Sequence, residues 1–101
     1  MLTTAGSQAE AERLAQILLK KKVAACINLV PGVESRYWWK GKVETGHEIL
    51  LLIKTSSLHL NTLTRLVKAH HSYQVPELIA LDLFWVERDY LKWLRESMET
   101  A

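Results

Sequence analysis

The chain has 101 residues, 49% of them hydrophobic and 24% charged, and its formal net charge is +2. This length predicts one small domain, residues 1–101, and the composition excludes both a disordered chain and a large enzyme cleft within a single copy. The single cysteine excludes an intrachain disulfide framework, and the small charge excess argues against nucleic-acid binding.

Thiol content and hydropathy together predict the compartment. One cysteine fits a reducing environment. No apolar stretch reaches the roughly 20 residues that a membrane span needs. Residues 1–7 lack the basic start and apolar middle of a signal peptide. We therefore expect a cytoplasmic protein with no membrane partner.

The first elements in chain order are a short strand and a helix. Residues 1–5 are long enough only for a stub of a strand. Ser7 and Glu10 have the spacing of a capping box, which predicts a helix start. Apolar residues then recur at helical spacing up to Leu18, so we predict a helix over residues 8–22.

The middle of the chain predicts a long hairpin. Residues 23–30 form an apolar strand that Pro31 and Gly32 interrupt, and residues 33–40 resume an extended pattern with an aromatic run at 37–39. Glycines at 41 and 46 frame the predicted reversal. Residues 48–54 then form the third strand.

The second half of the chain repeats the helix-then-strand order. Leucines at helical spacing after Ser57 predict a helix that ends near His70 and His71. Residues 77–86 predict another strand after Pro76, and apolar residues from Tyr90 onward predict a short closing helix. This order predicts an α+β fold, a ferredoxin-like βαββαβ sandwich with an extra C-terminal helix.

One face of this predicted sheet has no cover in a single chain. The strands over residues 23–30, 49–53 and 78–86 are apolar at both alternating positions, whereas a sheet with one wet face normally alternates. Leaving about six large aliphatic side chains wet forgoes on the order of 10 kcal/mol, so self-association is expected. If copies exchange the long hairpin, its aromatic tip at residues 37–39 would contact a neighbouring copy.

Two groups of residues are candidates for metal chemistry. His70 and His71 are adjacent imidazoles, which are good ligands for copper, zinc and nickel, although a helix cap and an exposed histidine explain them as well. Cys26 lies within an apolar strand, so a buried, unreactive thiol is the simpler reading beside a nucleophile or a soft ligand.

Other residues are candidates for a pocket. Tyr73 and Glu77 lie in the connection to the last predicted strand, where they either face a pocket or, for Glu77, merely begin the strand. Lys54 either meets an anion between subunits or extends to solvent. Trp38 and Trp39 point to opposite faces, so one of them is expected to meet a neighbour.

Catalytic motifs are missing from the sequence. It contains no glycine-rich phosphate loop, no G-x-S-x-G turn, no H-E-x-x-H motif and no spaced Cys/His set. The aromatic RNA-binding signature that occurs on the same strand and helix plan is also missing. We expect a protein that binds a ligand and does not turn one over.

Several segments at characteristic spacing resemble the CutA-type divalent-cation tolerance proteins over nearly the whole chain. They are Ala24-Ala-Cys-Ile-Asn28, Val30-Pro-Gly32, Tyr37-Trp-Trp-Lys-Gly-Lys42, Ile53-Lys-Thr55, His71 with Tyr73, Val75-Pro-Glu77 and Tyr90-Leu-Lys-Trp93. The resemblance implies a homotrimer whose sheets face a shared centre and whose hairpins reach onto neighbouring chains.

The resemblance also implies a ligand. It points to Cu(II) or another divalent cation, with no obligatory cofactor, bound by His70 and His71 near a subunit boundary. The family's first-strand cysteine falls on Thr3 in this chain. An interfacial pocket would be lined or supported by five residues, Cys26, Trp39, Lys54, Tyr73 and Glu77.

Two alternatives share the predicted fold. One is a trimeric signalling protein akin to the PII proteins, which bind a small ligand in the clefts between subunits; this is an analogy of fold. The other is a small acylphosphatase-like hydrolase, for which Arg36 would need a phosphate-binding loop that the sequence does not provide.

Overall fold

The structure, a computed structural model, describes residues 1–99. Its elements in chain order are strand β1 (Leu2–Ala5), helix α1 (Gln8–Lys20), strands β2 (Cys26–Trp39) and β3 (Lys42–Lys54), a 3-10 turn (Ser57–His59), helix α2 (Leu60–His70) and helix α3 (Arg88–Ser97). The strands form an antiparallel sheet in the order β1-β3-β2. The predicted α+β class is confirmed.

Helices α1 and α2 pack on one face of the sheet and form the core with it. The sheet contributes Leu51 and Ile53, which alternate with the half-exposed Leu50 and Leu52 on the opposite face. Each helix presents an apolar stripe to this layer because its apolar residues recur at helical spacing. The largest apolar side chains that are buried completely or nearly so are Leu14, Leu18, Leu51, Leu63 and Val67.

The start of α1 follows the sequence prediction in part. The Ser7 hydroxyl accepts a hydrogen bond from the Glu10 amide at 3.2 Å, as an N-cap should. The Glu10 carboxylate accepts from the Gly6 amide at 3.3 Å instead of closing the box on Ser7. The helix ends at Lys20, two residues before the predicted end.

Strands β2 and β3 form one hairpin that is longer than predicted. Trp39 pairs with Lys42, and the two residues between them, Lys40 and Gly41, both have positive φ. Two consecutive positive φ values are typical of the type I′ turn that suits the twist of a hairpin. The predicted reversal at Gly46 is wrong, because Gly46 pairs with Ser35 inside the ladder. The predicted break at residues 31–32 is a bulge within β2, where the register shifts.

The predicted strand over residues 77–86 is wrong for the chain as described. Only Ile79 pairs, in an antiparallel bridge with Leu2 at the free edge of β1. That bridge occupies the fourth position of a ferredoxin-like sheet. A strand needs a neighbouring backbone along its length, and within residues 1–99 this segment meets one only at Ile79.

Many large apolar side chains remain exposed outside the core. We call them the outer apolar surface; they are Tyr37, Trp38 and Trp39 at the hairpin tip and Val75, Leu81, Leu83, Phe84 and Trp85 after α2. Trp38 and Trp85 are 74% and 73% exposed. The predicted uncovered face is therefore seen only in part: Leu81, Leu83, Phe84 and Trp85 are exposed, whereas Leu50 and Leu52 on β3 are half-buried. None of the helices within residues 1–99 is long and apolar enough to cross a membrane.

Candidate functional site

The imidazole of His71 is held by hydrogen bonds at both ring nitrogens. Its Nε2 lies 2.7 Å from the Thr4 carbonyl oxygen, which only accepts, so Nε2 carries the proton and donates. Its Nδ1 accepts from the Tyr73 amide at 3.0 Å. The ring also packs against that of Tyr73, with centroids 4.6 Å apart. His71 thus attaches the segment after α2 to the first strand.

His70 has a different environment, although it is the adjacent residue. It is the last residue of α2 and is exposed, and within residues 1–99 its ring makes no hydrogen bond. Its carbonyl oxygen accepts from the Arg13 guanidinium at 3.1 Å, which fixes the helix end against α1. Of the two predicted metal ligands, His70 alone has both ring nitrogens accessible in the described chain.

A buried carboxylate, Glu10, holds the same segment from the side of α1. Its two oxygens accept from the amides of Ser72, at 2.8 Å, and Gly6. Burial raises the pKa of Glu10, but the hydrogen bonds from Ser72 and Gly6 and the nearby His71 outweigh it, so the pKa lies below its ordinary value. Glu10 is therefore an anion that orders the backbone at residue 72.

A second carboxylate, Glu48 on β3, accepts a hydrogen bond from the Tyr73 hydroxyl at 2.8 Å. Burial raises the pKa of Glu48, but hydrogen bonds from Ser35, Tyr73 and Thr4 outweigh it and the pKa lies below its ordinary value. Burial and the Glu48 carboxylate raise the pKa of Tyr73, so the phenol stays protonated. Gly6 permits this arrangement, since a Cβ there would lie 3.1 Å from the Tyr73 hydroxyl.

A cleft of about 680 Å³ lies between the β2–β3 hairpin and the segment after α2. Three of the five predicted pocket residues, Trp39, Tyr73 and Glu77, line it. The full set of lining residues is Thr4, Ser35, Arg36, Tyr37, Trp38, Trp39, Glu48, Tyr73, Gln74, Val75, Pro76 and Glu77.

The other two predicted pocket residues lie together but away from this cleft. Cys26 and Lys54 face each other across the far end of the hairpin, and the Lys54 ammonium is 3.8 Å from the Cys26 Sγ. Burial and the Cys26 thiol raise the pKa of Tyr90 on α3. In the described chain the five predicted pocket residues therefore lie in two separate places, three in the cleft and two at the far end of the hairpin.

The donor set for a divalent cation is incomplete within one chain. Thr3, which the resemblance in sequence matches to a cysteine ligand, is fully buried, and its hydroxyl has no hydrogen-bond partner among the described residues. A hydroxyl in place of a thiolate is a poor ligand for a soft cation. No group of three or more His, Cys, Asp or Glu side chains suited to a metal ion occurs within residues 1–99.

Sequence reasoning missed the two carboxylates that organise the site. Glu10 was interpreted only as part of a helix start, and Glu48 only as the start of a strand. A glutamate at a mostly buried helix position is unusual and was the available signal for Glu10. Nothing local marks Glu48, because its partner Tyr73 is 25 residues away in the chain.

Comparison with known proteins agrees with this architecture. The profile of the family described as "CutA1 divalent ion tolerance protein" matches residues 1–97. A rice relative, "Protein CutA 1, chloroplastic", is 52% identical over 86 residues, which are 85% of this chain. The chain spans about half the length of that relative, 49%.

Two further similarities cover more of both partners. The "Divalent-cation tolerance protein CutA" of Yersinia pestis (strain Pestoides F) is 43% identical over 98 residues, 97% of this chain and 82% of that protein. The solved structure of the "Periplasmic divalent cation tolerance protein CutA" from Archaeoglobus fulgidus is 40% identical with a TM-score of 0.94, covering 97% of this chain and 95% of the other. The chain therefore belongs to the CutA1 divalent ion tolerance protein family.

Proposed function

We propose that the protein is a non-catalytic homotrimer that binds a divalent cation, with Cu(II) as the first ion to test, through His70 and His71. The names of its relatives support a divalent cation as the ligand class. The observation that carries the proposal is the exposed imidazole of His70 at the carboxyl end of α2. The last carbonyls of a helix carry partial negative charge, which favours a cation there.

The second imidazole, that of His71, can coordinate the ion only by giving up a hydrogen bond. His71 offers a lone pair at Nδ1, which now accepts from the Tyr73 amide. Coordination through Nδ1 breaks that hydrogen bond and leaves the amide to find another partner. Because one chain supplies too few ligands, the remaining donors come from another copy at a subunit boundary.

Calorimetric titration of Cu(II) into the wild type and single variants tests the ligands. His70→Ala should weaken binding by about tenfold or more, because it removes the accessible imidazole. His71→Ala should weaken binding less and should also lower the unfolding temperature. His47→Ala, which removes an exposed histidine on β3, is the matched control. Equal affinity in the wild type and the His70→Ala/His71→Ala double variant would refute the histidine site.

The outer apolar surface supports the trimer. Its exposed side chains are those that a single chain leaves wet, and the backbone after residue 80 has a free hydrogen-bonding edge in the described chain. A second copy covers both deficits at once, because a paired strand satisfies the backbone while its side chains bury apolar area. Closed cyclic symmetry then leaves no open edge.

Sedimentation equilibrium measures the assembly directly. We expect a species of about 35 kDa, three times the chain mass of 11.6 kDa. Phe84→Ser with Trp85→Ser should shift the population to smaller species, whereas Leu58→Ser, at a residue 90% exposed outside that surface, should not. A folded wild-type protein that sediments as a single chain at micromolar concentration contradicts the trimer.

A second candidate function is the binding of a small organic ligand in the cleft, as in the PII-like alternative. The cleft beside Glu48 and Tyr73 is the observation that favours it. Thermal-shift screening with ATP and ADP tests the nucleotide version, since a ligand at about 100 times its dissociation constant adds roughly 2.7 kcal/mol. No shift with either nucleotide removes that version.

We place the protein in the cytoplasm, supported by its single thiol, Cys26, which is half-buried and free. The relatives from rice and Archaeoglobus fulgidus carry chloroplastic and periplasmic names, respectively. Fractionation of the source cells with compartment markers tests the placement, and recovery in a non-cytoplasmic fraction contradicts it.

A further inference from the structure

The charged side chains are distributed unevenly over the fold. Residues 8–22 and 57–70, which contain helices α1 and α2, carry six lysines and arginines and two glutamates. The rest of the chain carries seven lysines and arginines and nine acidic residues. The net charge of +2 is therefore +4 on the helices combined with −2 elsewhere. A total charge averages over such regions, although a partner meets only one of them.

The basic residues of the two helices are all on the surface. We call the exposed side chains of residues 8–22 and 57–70 the helical face. Of its two glutamates, Glu10 is buried and accepts from the Ser72 and Gly6 amides, so only Glu12 is exposed. The exposed cations of the helical face are Arg13, Lys20, Lys21, Lys22, Arg65 and Lys68.

The helical face lies apart from the surface to which we assign the contacts between subunits. Helices α1 and α2 cover the side of the sheet that is opposite to Leu50 and Leu52. The outer apolar surface contains residues of the hairpin and of the segment after α2, and none of the helical face. Lysine is depleted in the cores of protein–protein interfaces. The proposed trimer therefore leaves the helical face in contact with solvent.

Two exposed leucines accompany the lysines at one end of the helical face. The Thr55 hydroxyl donates to the Val23 carbonyl at 2.6 Å, which places the turn before α2 beside the end of α1. Leu58 in that turn is 90% exposed, and Leu19 on α1 is 41% exposed. The helical face has no aromatic residue on which a nucleic-acid base could stack. Aliphatic side chains among lysines are typical of proteins that adsorb to lipid surfaces.

The three lysines at the end of α1 exceed what the helix itself requires. A cation there is favoured by the helix dipole, which explains one lysine. Lys22 has φ of +57°, a conformation that glycine adopts with less strain. Its ammonium donates to the Glu99 carbonyl at 3.1 Å, whereas Lys20 and Lys21 are exposed on the helix side of it. These two lysines are thus placed to meet an external anion.

We propose that the helical face adsorbs to an anionic lipid bilayer, with Lys20 and Lys21 at the headgroup phosphates and Leu58 inserted between the lipid chains. The expectation of no membrane partner rested on the lack of a spanning segment, and surface adsorption needs none. Each lysine near an anionic bilayer contributes little, so the contact is weak and salt-dependent. It is separate from the divalent-cation site.

Co-sedimentation with vesicles measures this contact on the full chain in its native assembly. The two probes are vesicles of phosphatidylcholine alone and vesicles with about 30% phosphatidylglycerol. We expect the bound fraction to be at least about fivefold higher on the anionic vesicles. Salt at about 1 M should abolish the difference, because the screening length falls to about 3 Å.

Variants with matched controls locate the contact. Lys20→Gln with Lys21→Gln should lower the affinity for anionic vesicles by about fivefold or more. Arg88→Gln with Lys92→Gln removes the same charge from α3, at side chains that are 93% and 76% exposed, and should not. Leu58→Gln should weaken adsorption by about threefold or more, whereas Leu58→Met keeps an apolar side chain and should bind as the wild type does. Thermal unfolding checks that every variant is folded.

Each contrary outcome overturns the proposal in a different way. Equal binding to neutral and anionic vesicles means that charge does not direct adsorption. An equal loss in the α3 variant means that total charge acts instead of the helical face. Binding of a DNA duplex of about 20 base pairs without binding of vesicles would assign the face to nucleic acid. No binding of vesicles or duplex removes the surface function. The copper titration reports on the histidines independently of these outcomes.

Discussion

The core layer and the outer apolar surface contain similar residues in opposite situations. In the core layer, Leu51, Leu63 and Val67 are completely buried between the helices and the sheet. In the outer apolar surface, side chains as large as Phe84 and Trp85 face solvent. The contrast shows that apolar composition alone does not tell which surface a single chain covers and which one it leaves exposed.

The boundary between these regions is held by polar contacts. The segment that begins at His71 is attached to β1 and α1 by hydrogen bonds to Thr4 and Glu10, and it reaches the sheet again only at Ile79. Apolar packing stabilises the core layer, hydrogen bonds direct the segment away from it, and beyond Ile79 the described chain gives the segment no further sheet partner.

The largest effect is expected in the core layer. Leu51→Ala should lower the free energy of unfolding by about 3 kcal/mol, because it leaves a cavity that the surrounding aliphatic side chains fill only in part. Leu58→Ala, at a residue 90% exposed, should change it by less than about 0.5 kcal/mol. Denaturant unfolding at one protein concentration measures both variants. Similar losses of stability would contradict the distinction between the buried Leu51 and the exposed Leu58.

Removing the hydrogen bonds that Glu10 accepts at the boundary should give the next largest loss of stability. Glu10→Gln keeps one acceptor oxygen where the Ser72 and Gly6 amides use two, so we expect a loss of about 2 kcal/mol. Glu12→Gln, which changes an exposed glutamate two residues further along α1, is the control. Hydrogen exchange at the Ser72 amide should speed up in Glu10→Gln only, and unchanged exchange would contradict the role of Glu10.

The same carboxylate predicts a pH dependence. The folded pKa of Glu10 lies below the ordinary value of 4.5, so its contribution is fully present above pH 4.5 and is lost as the pH falls through the lower folded value. Unfolding midpoints should therefore decrease more steeply on acidification in the wild type than in Glu10→Gln. Parallel curves would mean that Glu10 titrates alike in both states.

The hairpin turn should show the smallest effect. Gly41 has φ of +79°, which an alanine adopts with strain, so Gly41→Ala should cost about 1 kcal/mol. Gly46→Ala is the control, because φ there is not positive and the added Cβ would meet Tyr37 at an ordinary 3.7 Å. Thermal unfolding compares the two, and an equal loss would remove the turn as the cause.

Local sequence patterns were enough to predict the helices, the long hairpin and an apolar surface outside the core. Ser7 and Glu10 marked the start of α1, and the apolar run over residues 78–86 predicted part of the exposed surface, although that run forms no strand. These are local signals, since hydrophobic period and capping chemistry act within a few residues. The family resemblance likewise rested on short segments.

The arrangement of the site and the pairing of residues 77–86 depend instead on tertiary contacts. The sequence offered His71 as a candidate metal ligand. In the structure its ring makes two hydrogen bonds, and one of them is donated to the carbonyl oxygen of Thr4, 67 residues away. Glu48 became part of a cleft because Tyr73 folds onto it. Residues 77–86 form no continuous strand, because within residues 1–99 only Ile79 of this segment pairs with the sheet. Each outcome depends on contacts between distant segments, and periodicity along the chain carries no information about such contacts.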